Sequence, residues 1–207
     1  MSFSQKLNEV CLKISDECIN CGNCVAECGL LQKIKEDPAA IALRQPSNEE
    51  AYACALCRLC EAVCPLSLCP GDMFAETRNQ AVNDNYLDED DFKYMFPDVK
   101  VNAGSLYREK YGINYEDISI DQECSVAFFP GCTMLTYSPK LTKEAYKNIV
   151  EIYGEATLLM DCCGLPLYQM GMEKRGDIYT QQVKEKVERL NIKSLIVACP
   201  NCYYKLK

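Results

Sequence analysis

Cys18-Ile-Asn-Cys21-Gly-Asn-Cys24-Val-Ala-Glu-Cys28 and Cys54-Ala-Leu-Cys57-Arg-Leu-Cys60-Glu-Ala-Val-Cys64-Pro65 repeat one spacing, Cys-x2-Cys-x2-Cys-x3-Cys. A zinc ion takes four tetrahedral ligands, and its sites usually show two Cys-x2-Cys pairs. That leaves a third cysteine at the same interval unexplained, twice. The spacing is the one that wraps thiolates around four-iron clusters, with the fourth cysteine of each run ligating the other cluster. It predicts two [4Fe–4S] cubane clusters. One takes Cys18, Cys21, Cys24 and Cys64; the other takes Cys54, Cys57, Cys60 and Cys28. The first run departs in one detail, ending Cys28-Gly29 rather than Cys-Pro. Gly22 and Gly29, with no Cβ, would let the backbone approach cluster sulfides closely.

Composition supports metal over disulfides. Sixteen of 207 residues are cysteine, a density that marks a chain built around one or the other. The opening MSFSQKLNEV has no cationic stretch followed by an apolar one, so no secretory signal is expected. No apolar run reaches the roughly 18 residues a spanning helix needs. A cytoplasmic chain keeps its thiols reduced, and clustered cysteines then act as ligands. The chain has no histidine, which removes His-based zinc sites, His general bases and His haem ligands. A net charge of −8 argues against nucleic acid, whose phosphates need a basic face. An acidic surface keeps the chain soluble and could also dock a basic redox partner.

The periodicity divides the chain in two. Residues 1–17 predict an amphipathic helix with Leu7, Val10, Cys11 and Ile14 on one side. Residues 32–48 predict a polar connector. Residues 49–63 predict a helix that carries the second cysteine run, with Ser47 or Asn48 as N-cap and Glu50 completing a capping box. Another helix is expected over 71–84. The acidic run Asp88-Glu-Asp-Asp91, followed by Pro97, Gly104 and Gly112, reads as a linker over 86–123, with one helical piece near 103–110. Strands over 125–129, 156–160 and 194–198 then alternate with helices over 139–153 and 173–191. That order predicts a parallel sheet covered by helices. The expected fold class is α+β overall: a helical domain over 1–85, the linker, and a small α/β domain over 124–207.

The second half has its own cysteines. Gly131-Cys132 follows the first strand, Cys162-Cys163-Gly164 the second, and Cys199-Pro-Asn-Cys202 the third. All five thiols fall at carboxyl ends of parallel strands, where α/β sheets place ligands. Helix N-termini there favour an anionic group. Cys11, Cys69 and Cys124 read as packed thiols. Only Cys69 is near enough to a run to substitute as a ligand.

Two resemblances attach to these motifs. Residues 5–85, with helical flanks and a Pro-bearing connector between the runs, resemble the α-helical ferredoxin domain of succinate dehydrogenase iron–sulfur subunits and of the C subunit of heterodisulfide reductase. Residues 124–207, through Phe-Phe-Pro-Gly-Cys132, Cys162-Cys163-Gly164 and Ala198-Cys-Pro-Asn-Cys202, resemble the CCG domain of heterodisulfide reductase B subunits. They also resemble glycolate- and lactate-oxidising iron–sulfur subunits. This implies a third iron–sulfur cluster, noncubane [4Fe–4S] in type, held by Cys132, Cys162, Cys163, Cys199 and Cys202. Other members of the family bind a cubane cluster or zinc there.

The order of modules is that of a fused C/B-type heterodisulfide reductase-like subunit. Two functions follow. The first is an electron-transfer subunit, passing electrons through two cubane clusters to the CCG-motif cluster, with a flavoprotein or other redox subunit as partner. The second is a catalytic disulfide reductase. The reductases carry two CCG motifs and this chain carries one, which favours the first. No Gly-x-Gly-x-x-Gly or P-loop pattern supplies a nucleotide site, so a flavin would lie in the partner.

Overall fold

The computed structural model describes residues 3–207. Two compact units divide the chain, one of residues up to Asp88 together with Tyr168–Glu173, the other of Glu89–Leu167 and Lys174–Lys207. The fold is α+β, as expected, with a helical first part and a small parallel sheet in the second.

In the first unit the helices are α1 (Phe3–Glu17), α2 (Asn23–Glu27), α3 (Gly29–Ile34), α4 (Pro38–Arg44), α5 (Asn48–Ala53), α6 (Leu59–Ala62) and α7 (Pro70–Asn83). α1 buries Leu7, Cys11 and Ile14, three residues of the expected face. They pack with Leu31, Ile41, Met73 and Phe74 into one core. Each large apolar side chain taken fully from water there contributes about 1.5–3 kcal/mol. Local caps fix the helix starts. Asp37 accepts from the Ala40 N–H at 2.8 Å, and Pro38 sets the first turn of α4. Ser47 and Glu50 form the expected capping box at α5.

Residues 32–48, read as a polar connector, contain α4 and bury Ile41 and Ala42 in the core, and a second expectation is overturned as well. Residues 49–63 do not form a continuous helix: α5 ends at Ala53, and residues 54–58 form a loop. The reason is backbone handedness. Leu56 and Arg58 adopt left-handed φ values of 51° and 60°, which no α-helix accommodates. The first run does the same at the same offsets, with Asn20 at φ 51° and Gly22 at φ 79°. In both runs the left-handed residues stand second and fourth after the leading cysteine, and a short helix, α2 or α6, begins at the next position. The structure thus repeats a loop-and-helix unit that the spacing alone does not spell out.

The second unit contains two 3₁₀ turns (Glu89–Asp91 and Lys93–Met95), α8 (Ala103–Lys110), β1 (Val126–Phe129), α9 (Cys132–Tyr137), α10 (Pro139–Tyr153), β2 (Thr157–Leu158), α11 (Leu165–Gln169), α12 (Glu173–Arg189), β3 (Ser194–Val197) and α13 (Pro200–Leu206). The ends of α11 and α12 that meet at 168–173 belong to the first unit. The sheet is parallel in order β2-β1-β3, with Ala127 opposite Thr157 and Leu195. All four residues of β1 are buried, as a central parallel strand requires. α10 has the bounds read from the sequence. β2 is shorter than expected, although the Leu159 N–H still donates to the Phe128 carbonyl at 2.9 Å.

Residues 86–123, read as a linker, are in large part built into this unit. Tyr115 is buried in the core beneath α10, and its hydroxyl donates to the Leu135 carbonyl at 2.7 Å. Phe96 is buried under the Arg175 guanidinium, 4.2 Å from the ring centre. Arg175 also pairs with Asp98 at 2.7 Å and Glu89 at 3.2 Å. Part of the acidic run therefore has a cation to face.

Candidate metal centres

The two cysteine runs lie side by side. The Asn23 side chain of α2 donates to the Val63 carbonyl at 3.5 Å, next to Cys64. A cavity of ≈ 120 Å³ has Cys18, Cys21, Cys24 and Cys64 in its wall, with Cys60 beside them. Ile14, Val25, Pro38, Leu66 and Leu68 supply its apolar sides. Burial pushes the Cys24 thiol up to about 11, and the neighbouring sulfurs of Cys18, Cys60 and Cys21 push in the same direction. Sulfurs so placed ionise together only when a cationic group compensates them, which fits an iron centre. Burial raises Cys54 too, and both Cys60 and Cys28 act on it. Cys28 is thus close to the second run, while Cys64 stands in the cavity of the first. Cys21 and Cys57 are exposed. A Cβ on Gly22 or Gly29 would meet no protein atom within 4 Å, so space is open on both.

Cys69 sits against Cys60. Its S–H bonds to the Cys60 sulfur, which lowers the Cys60 pKa to about 6 and raises that of Cys69. Cys11 is part of the helical core, and Cys124 is buried, its N–H donating to the Leu190 carbonyl. Among the described residues, no three Cys, Asp or Glu side chains converge as a single metal ion would require. The sulfurs of the runs line walls instead.

The five cysteines of the second unit form one connected set. The Cys162 thiol lies beside the sulfurs of Cys132 and Cys163, and the Cys202 thiol beside those of Cys163 and Cys199. These contacts lower Cys132 to about 6 and Cys163 to about 3, while Cys162 and Cys202 are raised. The loops carrying them follow β1, β2 and β3, so the parallel register brings three distant segments to one end of the sheet. Cys162, Cys163 and Cys202 are buried, and Cys132 is exposed. Five neighbouring sulfurs, soft ligands that favour iron–sulfur centres, fit a thiolate-bound iron centre.

Two glycines make the set fit together. Gly131 has φ 83°, and a Cβ there would meet Cys199 Cβ at 3.2 Å and Cys202 Sγ at 3.3 Å. Gly164 has φ 81°, and a Cβ would meet Thr180 Oγ1 at 2.9 Å, so its bareness lets α12 approach. From α12, the Tyr179 hydroxyl accepts the Cys162 N–H at 3.2 Å and Thr180 donates to the Cys163 carbonyl at 3.3 Å. Lys186, also on α12, holds Asp161 at 2.8 Å, next to Cys162. Gly131→Ala is expected to separate Cys132 from Cys199 and Cys202, so that iron bound by the second unit is lost while that of the first stays. Iron content and visible absorbance check this.

Sequence reasoning did not find Arg78. It is buried in α7 and donates to the carbonyls of Ala51, Cys54 and Gln169, all in the first unit. No motif marks it. The one signal is an arginine at a position where α7 should be apolar.

Comparisons with known proteins agree with the two halves. Residues 14–68 match the 4Fe-4S dicluster domain family, and residues 126–207 match the cysteine-rich CCG domain family. Over 214 aligned residues the chain is 23% identical to an iron–sulfur protein of Methanococcus maripaludis, which covers 92% of this chain and 43% of that one. It is also 32% identical over 97 residues to the DNA-directed RNA polymerase subunit Rpo3 of Methanosarcina mazei, covering 46% of this chain and 32% of the subunit. The chain spans less than half the length of each of these relatives. No solved structure matches it.

Proposed function

We propose that this chain, a 4Fe-4S dicluster domain joined to a CCG domain, is a heterodisulfide reductase-like electron-transfer subunit with two cubane clusters in the first unit and a third iron–sulfur centre at the CCG cysteines. The observation that carries it is the juxtaposition of two repeated cysteine loops in one unit and five adjoining thiols in the other. When bound, iron–sulfur clusters supply one-electron transfer at potentials set by hydrogen bonds, charge and solvent access.

The chain's own residues set those conditions. Cys18, Cys21, Cys24 and Cys64 hold one site, and Cys54, Cys57, Cys60 and Cys28 the other. Ile14, Val25 and Leu68 give the first site an apolar wall. The Leu56 N–H donates to the Cys54 sulfur at 3.4 Å, a contact that raises a potential by stabilising the reduced state. Exposed Cys21 and Cys57 mark the side from which a partner comes near. The partner we propose is a flavoprotein or another redox subunit of a larger complex, in the cytoplasm, where thiols stay reduced. No helix among the described residues is long and apolar enough to cross a membrane.

A second reading is disulfide reduction at the CCG centre. It is favoured by the exposed Cys132, which opens onto a cavity large enough for a small molecule. Anaerobically purified chain is expected to be brown, with roughly eight irons in the first unit and matching sulfide. Colourless protein holding zinc and no sulfide overturns both readings. Reduction of a disulfide by the chain with a reduced dye as donor separates them, since the wire alone has no such activity.

A further inference from the structure

We infer that the cavity beside the five-cysteine site is an anion-recognition subsite, in which Arg108 and Lys100 receive the carboxylate or phosphate of a small thiol or disulfide. The inference rests on the disulfide reading above and adds to it the charge of the molecule bound. The cavity is ≈ 430 Å³ and lies wholly in the second unit. Cys132 and Cys162 stand in one wall, Lys100 and Arg108 in another. Its lining contains two cations and no carboxylate, in a chain whose net charge is −8. That sign is opposite to the rest of the molecule.

The neighbouring acids are engaged elsewhere. Asp98 is taken by Arg175 at 2.7 Å, and Asp161 by Lys186 at 2.8 Å. Among the described residues neither Lys100 nor Arg108 makes an ion pair. Arg108 is held nevertheless. Its Nη1 donates to Thr136 Oγ1 at 2.9 Å. A fixed guanidinium with donors to spare is suited to bidentate capture of a planar anion. Lys100 is exposed and adds a mobile point charge at the rim. Binding is non-covalent. The anion is caught by the cations and the sulfur end of the molecule is brought to Cys132 and Cys162.

The test uses the full chain, loaded with iron and sulfide under anaerobic conditions. Titration calorimetry compares dithiodipropionate, a dianion, with hydroxyethyl disulfide, its neutral counterpart. The dianion is expected to bind at least about tenfold more tightly, the span of one charged hydrogen bond, and to weaken as salt is raised. Arg108→Met should remove most of that preference and leave the neutral disulfide unchanged. Lys100→Met, at an exposed position with no fold to disturb, should remove a smaller part. Lys147→Met on α10 removes a cation outside the cavity and should change nothing. Equal binding of the two disulfides by the unmodified chain overturns the subsite, as does absence of binding. Dye-linked reduction, followed in parallel, keeps the two proposals apart. Equal reduction of both disulfides sinks the subsite and spares the reductase reading. Tight dianion binding with no reduction does the reverse.

Discussion

Arg78→Met is expected to lower the stability of the first unit by about 3–5 kcal/mol, the range for removing one partner of a buried charged network. Arg78 lies 6% exposed, and burial pushes its pKa down, with the Cys54 and Tyr52 side chains opposing that shift. It stays charged because three backbone carbonyls receive it, those of Ala51, Cys54 and Gln169. Its guanidinium also lies 5.2 Å from the centre of the Tyr52 ring. Methionine matches the volume and offers no donor. Three carbonyls then lose this donor, at a cost of about 1–3 kcal/mol for each one left unpaired where water does not reach. Ala51 stands near the C-terminus of α5, and its carbonyl also accepts the Cys54 N–H at 3.3 Å, so Arg78 is its second donor. Cys54 opens the second cysteine loop. The variant should therefore release iron from the first unit more readily as well as melt earlier. A melting point lower by at least about 10 °C is expected for a unit of this size. Arg78→Lys, which keeps the charge but not the fork, should fall between. A melting point within about 2 °C of the unmodified chain would show that the three carbonyls find other donors.

Cys64→Ala and Cys28→Ala are each expected to remove about half of the first unit's iron, and to remove different halves. The crossed assignment makes Cys64 a partner of Cys18, Cys21 and Cys24, with which it lines one cavity. It makes Cys28 a partner of Cys54, on which its charge acts. Residues that share a site fail together, so their losses do not add. Cys64→Ala combined with Cys24→Ala should lose no more iron than either alone. Cys64→Ala combined with Cys54→Ala should lose nearly all. Iron analysis and low-temperature electron paramagnetic resonance of the reduced protein read this out. If Cys64→Ala removes the same signal as Cys54→Ala and spares that of Cys24→Ala, each run closes its own cluster and the crossing is wrong.

Much of the fold was legible because it rests on local periodicity. Leu7, Cys11 and Ile14 mark the buried side of α1, and Pro139 and Gly154 bound α10, one by setting φ and the other by taking φ 84°. The apolar runs behind β1 and β3 announce strands of a parallel sheet, β1 buried at its centre and β3 half-exposed at its edge. The second cysteine run misled for a physical reason. Ala55, Leu56 and Leu59 favour a helix, but handedness at Leu56 and Arg58 is decided by how the cysteines are displayed, which propensity does not record. Residues 86–123 read as a linker because the apolar residues around Phe96 and Tyr115 follow no helical or strand period and are broken by Pro97 and Gly112, so nothing local marks those two as buried. The three cysteine constellations were plain from spacing. Arg78 and the cations of the cavity were not, because their partners come from segments far apart in the chain.

The matched left-handed positions of the two loops differ in who occupies them. In the first loop they fall to Asn20 and Gly22, residues that visit this region readily. In the second they fall to Leu56 and Arg58, for which the conformation costs about 1–2 kcal/mol each. The second loop is therefore a loaded spring whose catch lies outside its own sequence, in Arg78 on the Cys54 carbonyl and in whatever the sulfurs grip. The first loop keeps its shape at little cost. Of two arms built to one pattern, one holds its shape from its own sequence and the other has its shape held from outside.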